Sequence, residues 1–485
     1  MPNFKIFKML NIFLNLEKDT IKEYKLQEQI VISKKLENHT YQIKDPNINS
    51  LLLKSTMSDI EFNPSGLSIS ILGIPSKFTN IYIDKNEIIG RKFETIDILT
   101  IPLNSIEDIK FDGLNVYLKT IDNNFNSFFK SNGGYGTTLS YGNKRAKLST
   151  SISRDIYSYI KNYSFYNCFN FNNFSFSYIY NQKITPFDEI FSDFRTILSF
   201  YNINFQFYKH SYNFRNENIN YNEEFFLKFQ NEYKSVKKDY YFRISYGFYS
   251  DYLRGNNVIF DVNFLRFLAS FEFYKNFLIR LNFENLEPGF NLEYKNFKLF
   301  FISRYPSAKE LFMRFYYPEM GYMVIGNSKL KNEKLIGINF NFWNFLLNYI
   351  KIFNYIGFYN LGYQNNLILW TYQNLENIEI YSISFGKNIH FKEFIMKLSF
   401  FIGKTPIDIP PYKFNLNLNY KNFEIEFWSK GKTQLIPNLY SLDFEIRTKL
   451  ITLKINDLLD KTSSVNLPYF TGRTFTIIFE KNFKN

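Results

Sequence analysis

One cysteine in 485 residues, Cys168, leaves no intrachain disulfide to form and no multi-cysteine zinc site. Histidine is nearly as scarce: His39, His210 and His390 stand far apart, with no metal-ligand spacing among them. No serine or carboxylate has a histidine placed to activate it, so no catalytic residue is assigned and the chain does not read as an enzyme. No metal and no cofactor is expected. The glycine-rich Gly133-Gly134-Tyr135-Gly136 lacks the Lys-Ser/Thr of a phosphate loop and reads as a turn. Long apolar runs are missing too. A membrane-spanning helix needs about 20 apolar residues, and the nearest approach, 345–359, is broken by Asn348, Lys351 and Asn354. Runs of basic residues are also absent. Lys plus Arg outnumber Asp plus Glu by 58 to 45, a net charge of +13, but the lysines are spread thinly through Asn-rich stretches. That dispersal speaks against nucleic acid, whose partners cluster their charge; it suits anionic lipid head groups.

What the chain has in abundance is aromatic residues: 58 Phe and 38 Tyr, 20% with tryptophan, at a mean hydropathy of only −0.27. Codon bias alone would raise Phe, Tyr, Asn, Ile and Lys together, so order must carry the argument, not amount. The order is period two. Residues 414–420 read Phe-Asn-Leu-Asn-Leu-Asn-Tyr, apolar at every even position and Asn at every odd one. After Lys421-Asn422 the alternation restarts with Phe423, Ile425 and Phe427 against Glu424, Glu426 and Trp428. Two strands joined by a two-residue turn explain this spacing, and a helix does not. Similar runs recur from about Gly133 onward, for example 169–180, 240–249, 297–301 and 475–479. An antiparallel meander this long curls or splits if left open, so a closed barrel is expected over 131–485. If the chain spans a bilayer it does so in this form, since closure satisfies every backbone hydrogen bond there. Alternation alone does not say which face meets lipid.

The first 130 residues differ. Pro46, Pro64, Pro75 and Pro102 punctuate shorter apolar segments, with helical turns expected at 47–54 and strands at 67–72 and 80–83. This predicts a small α+β domain over 39–130. Lys5 and Lys8 precede a short apolar stretch at 9–16, so 1–18 reads as a degenerate signal segment without a small-residue cleavage site.

Several local sequences, taken in order, resemble TonB-dependent outer-membrane receptors. Ser68-Ile69-Ser70-Ile71-Leu72-Gly73 and Asn80-Ile81-Tyr82-Ile83-Asp84 resemble two plug strands, and Ile101-Pro102 through Ile106-Glu107-Asp108-Ile109 resembles the plug's "iP…IErIEV" segment. Arg304-Tyr305-Pro306-Ser307-Ala308-Lys309-Glu310-Leu311 resembles the barrel motif R-x-P-S-x-x-E-L, and Gly326-Asn327 through Lys331-Asn332-Glu333 resembles G-N-P-x-L-K-P-E. Asn456-Asp457-Leu458-Leu459-Asp460-Lys461 and Gly472-Arg473 resemble the closing motifs. Upstream, Gln29, Ile30, Val31, Ile32 and Ser33 resemble the TonB box, within a periplasmic segment at 19–38. Departures occur: Leu72 stands for an arginine, Lys85 for a glycine, the glycine-rich stretch after "IEV" is missing, and the sequence finishes Phe483-Lys484-Asn485 where the family typically finishes on an aromatic residue.

The resemblance implies an all-β fold: a transmembrane antiparallel β-barrel of about 22 strands, in a shortened form, with the α+β plug domain inside its lumen. It implies a place in the outer membrane of a Gram-negative-type bacterium, in contact with outer-membrane lipid. The implied function is uptake of a scarce nutrient such as cobalamin, a ferric siderophore or another metal chelate, energised by a TonB-type partner. The alternative is a non-transporting barrel, adhesive or structural, with a vestigial plug. Ligand-contact candidates are the plug tip Pro75, Ser76, Lys77 and Phe78, and Phe312, Phe315, Tyr316, Tyr317 and Tyr322 in the long irregular loop 305–333. The competing reading of these aromatics is packing or an interfacial girdle. No histidine lies between Arg304 and Glu333, which argues against haem.

Overall fold

The structure is a computed structural model that describes residues 40–42, 55–63, 66–84, 86–90, 95–101, 103–112, 114–121, 124–142, 146–157, 160–185, 189–214, 217–235, 240–255, 262–275, 277–284, 287–317, 321–364, 367–406, 409–433, 437–460 and 472–482. All belong to one compact unit, His39–Asn485. The expected helical turns at 47–54 and the candidate TonB box at 29–33 lie outside the described residues.

Among the described residues, 22 antiparallel strands form a closed barrel. Each wall strand pairs with its neighbour in sequence, and Thr474–Asn482 pairs with Asn124–Lys130 to seal the cylinder. The barrel therefore starts at Asn124, one strand earlier than the expected boundary at 131. The missed strand, NFNSFFK, alternates too weakly to stand out from the domain before it.

Alternation now has a direction. On Tyr412–Tyr420, Lys413, Asn415 and Asn417 are buried toward the lumen, while Tyr412 and Tyr420 are exposed outward. Polar residues such as Thr138, Ser140, Ser149 and Gln206 are wholly buried, and Leu148, Ile152, Ile402 and Phe475 are exposed. A water-soluble sandwich would have these reversed; an apolar outside and polar inside is the arrangement of a bilayer barrel. Two-residue turns at 172–173, 201–202, 295–296, 343–344, 392–393 and 421–422 share one end of the cylinder. Aromatics ring that end, among them Tyr201, Tyr294, Phe342, Trp343, Phe391, Tyr420 and Phe423, all exposed. Tyr135, Tyr381, Tyr412 and Tyr440 are exposed near the other end. Two aromatic belts mark the two interfaces of a membrane. Leu416 sits midway between Tyr412 and Tyr420 on the outward face. Leu416→Arg is expected to cost about 2–4 kcal/mol at the bilayer midplane, read as the urea midpoint of vesicle-folded protein. A shift near zero would deny the lipid-facing belt.

The lumen is filled. A five-stranded sheet runs in the order Thr40–Gln42, Ile106–Asp112, Asn115–Thr120, Asn80–Ile83, Asn86–Glu87, beside the hairpin Ser58–Asn63/Gly66–Ile71. The strands expected at 67–72 and 80–83 are present. The plug core packs Leu67, Ile69, Ile71, Ile98, Ile109, Phe111 and Val116 together and touches wall residues Tyr166, Cys168 and Trp428.

Candidate functional site

The barrel motif builds a small joint at the end opposite the two-residue turns. Pro306 ends the strand Phe297–Arg304, and Ser307 caps the one-turn helix α1, Ala308–Phe312. Ser307 Oγ accepts from the Glu310 N–H at 3.2 Å, and the Glu310 carboxylate accepts from the Ser307 N–H at 2.6 Å. This is a capping box. Glu310 also accepts two N–H groups of Arg304, at 3.0 and 2.6 Å. The fork-to-fork pairing fixes direction as well as charge. Burial pushes the Glu310 carboxyl up, but Arg304 outweighs it, with Lys77 adding to the effect, and holds the group below its ordinary 4.5.

The second barrel motif closes on the first. The Gly326 N–H donates to Met313 O at 2.6 Å and the Asn327 N–H to Glu310 O at 2.8 Å. A Cβ on Gly326 would lie 2.6 Å from the Phe312 nitrogen, so only glycine lets the two segments approach. Glu333, fully buried, accepts from Arg304 Nε, from the Ile356 N–H at 2.6 Å, and from Lys77 Nζ at 2.6 Å. Lys77 Nζ also donates to Ile356 O at 2.5 Å and sits 3.6 Å from the Tyr355 ring centroid. One carboxylate thus gathers the barrel rim, an outer loop and the plug tip.

The loop expected to be irregular is ordered. Arg314–Tyr317 pairs with Tyr322–Ile325, and the latter runs parallel to Leu367–Asn374 of a second hairpin, Ile356–Gln364/Leu367–Asn374. The result is a four-stranded outer sheet made from two wall-to-wall connections. Phe315, Tyr316 and Tyr317 lie on one strand and Tyr322 on the next, with Tyr317 opposite Tyr322. Phe312 is half-buried at the end of α1. At the plug tip Pro75, Ser76, Lys77 and Phe78 are all buried. Ser76 Oγ accepts from Ser68 Oγ at 2.8 Å, and Phe78 packs with Phe300, Leu335, Ile350 and Ile380. The plug tip is brought to the barrel motifs as a contact within the protein, with Lys77 as its charged end.

Three further plug–wall contacts escaped the sequence reading. Asp59 faces two wall lysines, Lys430 and Lys413, the latter at 3.4 Å; all three side chains are 5% exposed or less. Burial raises the Asp59 carboxyl, but Lys413 and Lys430 together win and hold it below its ordinary 3.8. Asp97 meets Lys183 at 3.6 Å and accepts from the Leu99 N–H at 3.0 Å. Around Gly90, Arg195 Nε donates to Ile89 O at 2.9 Å and the Gly90 N–H donates to Glu224 at 2.8 Å. Gly90 has φ +104°, and a Cβ there would lie 2.7 Å from Arg195 and Tyr208. The signal available for Lys413 and Lys430 was a cation on the polar side of an alternating strand, without its partner.

This arrangement is a pore closed by its own N-terminal domain, pinned by buried ion pairs. No group of three or more metal-ligating side chains occurs among the described residues. No family model and no curated protein matches the sequence. Solved structures do match. A mutant of the ferric enterobactin receptor PfeA from Pseudomonas aeruginosa superposes with a TM-score of 0.65 at 10% identity, covering 93% of this chain and 99% of that one. The siderophore receptor PirA from Pseudomonas aeruginosa gives 0.64 at 12%, covering 92% and 99%. The hemophore receptor HasR from Serratia marcescens, solved with its hemophore HasA and heme, gives 0.62 at 12%, covering 91% and 97%. At such identities the likeness establishes the fold, a plugged 22-strand barrel shared with receptors for siderophores and heme.

Proposed function

We propose that the chain is a TonB-dependent receptor of the outer membrane that imports a scarce nutrient, a ferric siderophore, a corrinoid such as cobalamin, or another metal chelate. The observation that carries this reading is the plug itself. A lumen occupied by a domain held through Asp59, Lys77 and Asp97 opens to a bulky solute only when that domain shifts. An outer membrane holds no nucleotide fuel, so the shift needs work from a partner. Residues Gln29–Ser33, by their resemblance to the TonB box, are the segment assigned to that partner, which would bind them by adding a strand to its own sheet. The chelate classes are supported by the siderophore and heme receptors of the same fold. The absence of a histidine between Arg304 and Glu333 favours a siderophore or corrinoid over heme. Ligand contact is assigned to Phe312 at the end of α1 and to Phe315, Tyr316, Tyr317 and Tyr322 of the outer sheet, and the plug tip 75–78 acts beneath them as the element that senses occupancy. No catalytic step is assigned.

The test is a strain carrying a deletion of residues 29–33, grown on a panel of ferric siderophores and corrinoids as sole iron or cobalamin source. Growth on one of them is expected to depend on the wild-type chain and to fail with the deletion, while surface binding of the same compound persists. Unchanged growth with the deletion would mean that energy does not enter through this segment. Binding without uptake by the wild type would favour the adhesive reading.

A further inference from the structure

The plug does not cover the inner wall evenly. Ser140, Ser149, Gln206, Ile350 and Ile380 all face the lumen and are wholly buried. The strand Leu278–Glu284 differs. Leu281 and Phe283 point outward, so Arg280, Asn282 and Glu284 face the lumen. Asn282 is nevertheless exposed, and the side chains of Arg280 and Glu284 keep 30% and 25% of their surface. Arg280 stands near the end with the two-residue turns and Glu284 at the end of the α1 joint, so water reaches this inner face along its length. The charges differ as well. Elsewhere the plug completes the charges of the wall: Asp59 for Lys413 and Lys430, Asp97 for Lys183, Lys77 for Glu333. Here the wall completes its own. Glu232, Arg243, Glu272 and Arg280 are successive cross-strand partners, joined at 2.8, 3.7 and 2.7 Å, and Arg266 holds Glu284 at 2.6 Å. The plug presents Tyr82 and Tyr117, stacked 4.9 Å apart, close enough for the Arg280 charge to act on both phenols.

We propose that the imported solute passes along this strand, between the inner face of Leu278–Glu284 and the Tyr82–Tyr117 side of the plug. The inference rests on the import reading and adds to it a sector of the wall. Drawing the plug away from Lys413, Lys183 or Glu333 strands a buried charge. Drawing it away from the ladder breaks none of the ladder's ion pairs, so the existing gap widens here first. Paired charges also suit a passage. They hydrogen-bond a polar chelate without the grip of an isolated charge, and a conducting site must be weak enough to leave.

The native Cys168, on the lumen wall against the plug and 4% exposed, is an internal control for the test. The full chain carrying Asn282→Cys is folded into vesicles and treated with a small water-soluble methanethiosulfonate, and adducts are counted by mass. The Asn282→Cys thiol is expected to react about tenfold or more faster than Cys168, which must wait for the plug to open locally. A bulky maleimide on the same thiol is expected to abolish uptake of whichever ferric siderophore or corrinoid the wild type imports. The unreacted variant, and a maleimide on Lys161→Cys at the exposed outer face, are expected to import normally. Equal reactivity of the two thiols would remove the gap, and full uptake with the maleimide at 282 would remove the route; either overturns the proposal. A wild type that imports no compound overturns the import reading and the route with it, a result told apart from the other two by the missing wild-type uptake.

Discussion

Glu333→Ala is expected to loosen the outer end of the protein by about 3–5 kcal/mol, the range for stripping one partner from a buried ion pair. The side chain is fully buried and serves Arg304, Lys77 and the Ile356 N–H at once. Its removal strands a lysine of the plug and unseats the strand that begins the second hairpin. Glu333→Gln keeps an acceptor for the Ile356 N–H and loses only the charge, so roughly half the effect is expected to return. The measurement is the urea midpoint of vesicle-folded protein, paired with protease cleavage in 314–325 and 356–374. A midpoint change under about 1 kcal/mol would show that the joint is ornamental to stability. Acid should act on the same joint. Glu310 has a folded value below its ordinary 4.5, so its contribution is complete above that pH and is lost as pH falls through the folded value.

Asp59→Ala has the second large effect, and a different readout. Lys413 and Lys430, each no more than 3% exposed, would face each other without a counter-charge. About 3–5 kcal/mol against plug docking raises the undocked population by two to three and a half powers of ten. Planar-bilayer recordings are expected to change from a silent protein to one with frequent openings, and cells to admit bulky antibiotics. The control is Asp59→Leu with Lys413→Met and Lys430→Met, which removes all three charges and is expected to stay closed, since apolar replacement of a whole buried cluster is often neutral. An open triple variant would assign the effect to packing and not to charge. The pH sign follows from the depressed Asp59 value: openings stay rare above 3.8 and increase as pH drops below it through the folded value.

The wall was legible and its pins were not, for a physical reason. Period-two alternation at 414–420 and 423–428 is imposed by the pleat, so it must appear in the order of residues. Short hairpins also leave a mark: Lys421, Lys295 and Lys392 each take positive φ at the first of two turn positions, which tight connections between twisted strands require. The R-x-P-S-x-x-E-L resemblance pointed to Arg304, Ser307 and Glu310 because a capping box and a bidentate pair need fixed local spacing. Asp59 and Lys430 are 371 residues apart and share only a volume inside the cylinder. Contacts across the lumen impose no periodicity, and one chain without its relatives gives no covariation. The outer sheet was not legible: 305–333 reads as an irregular loop, and the parallel pairing of Tyr322–Ile325 with Leu367–Asn374 joins two separate connections and leaves no local pattern.

The seam between Thr474–Asn482 and Asn124–Lys130, tied also by Asn124 to Glu480 at 3.0 Å, sets an order of events during biogenesis. The strand that completes the ring is translated after the other wall strands and after the domain that ends up enclosed. Until it zips onto the first, the growing sheet is an open scroll, and the enclosed domain can enter from the side instead of being pushed through a finished hole. A maturation intermediate lacking only this final zipper should therefore already hold its stopper, like a ship built in the bottle before the glass is blown shut.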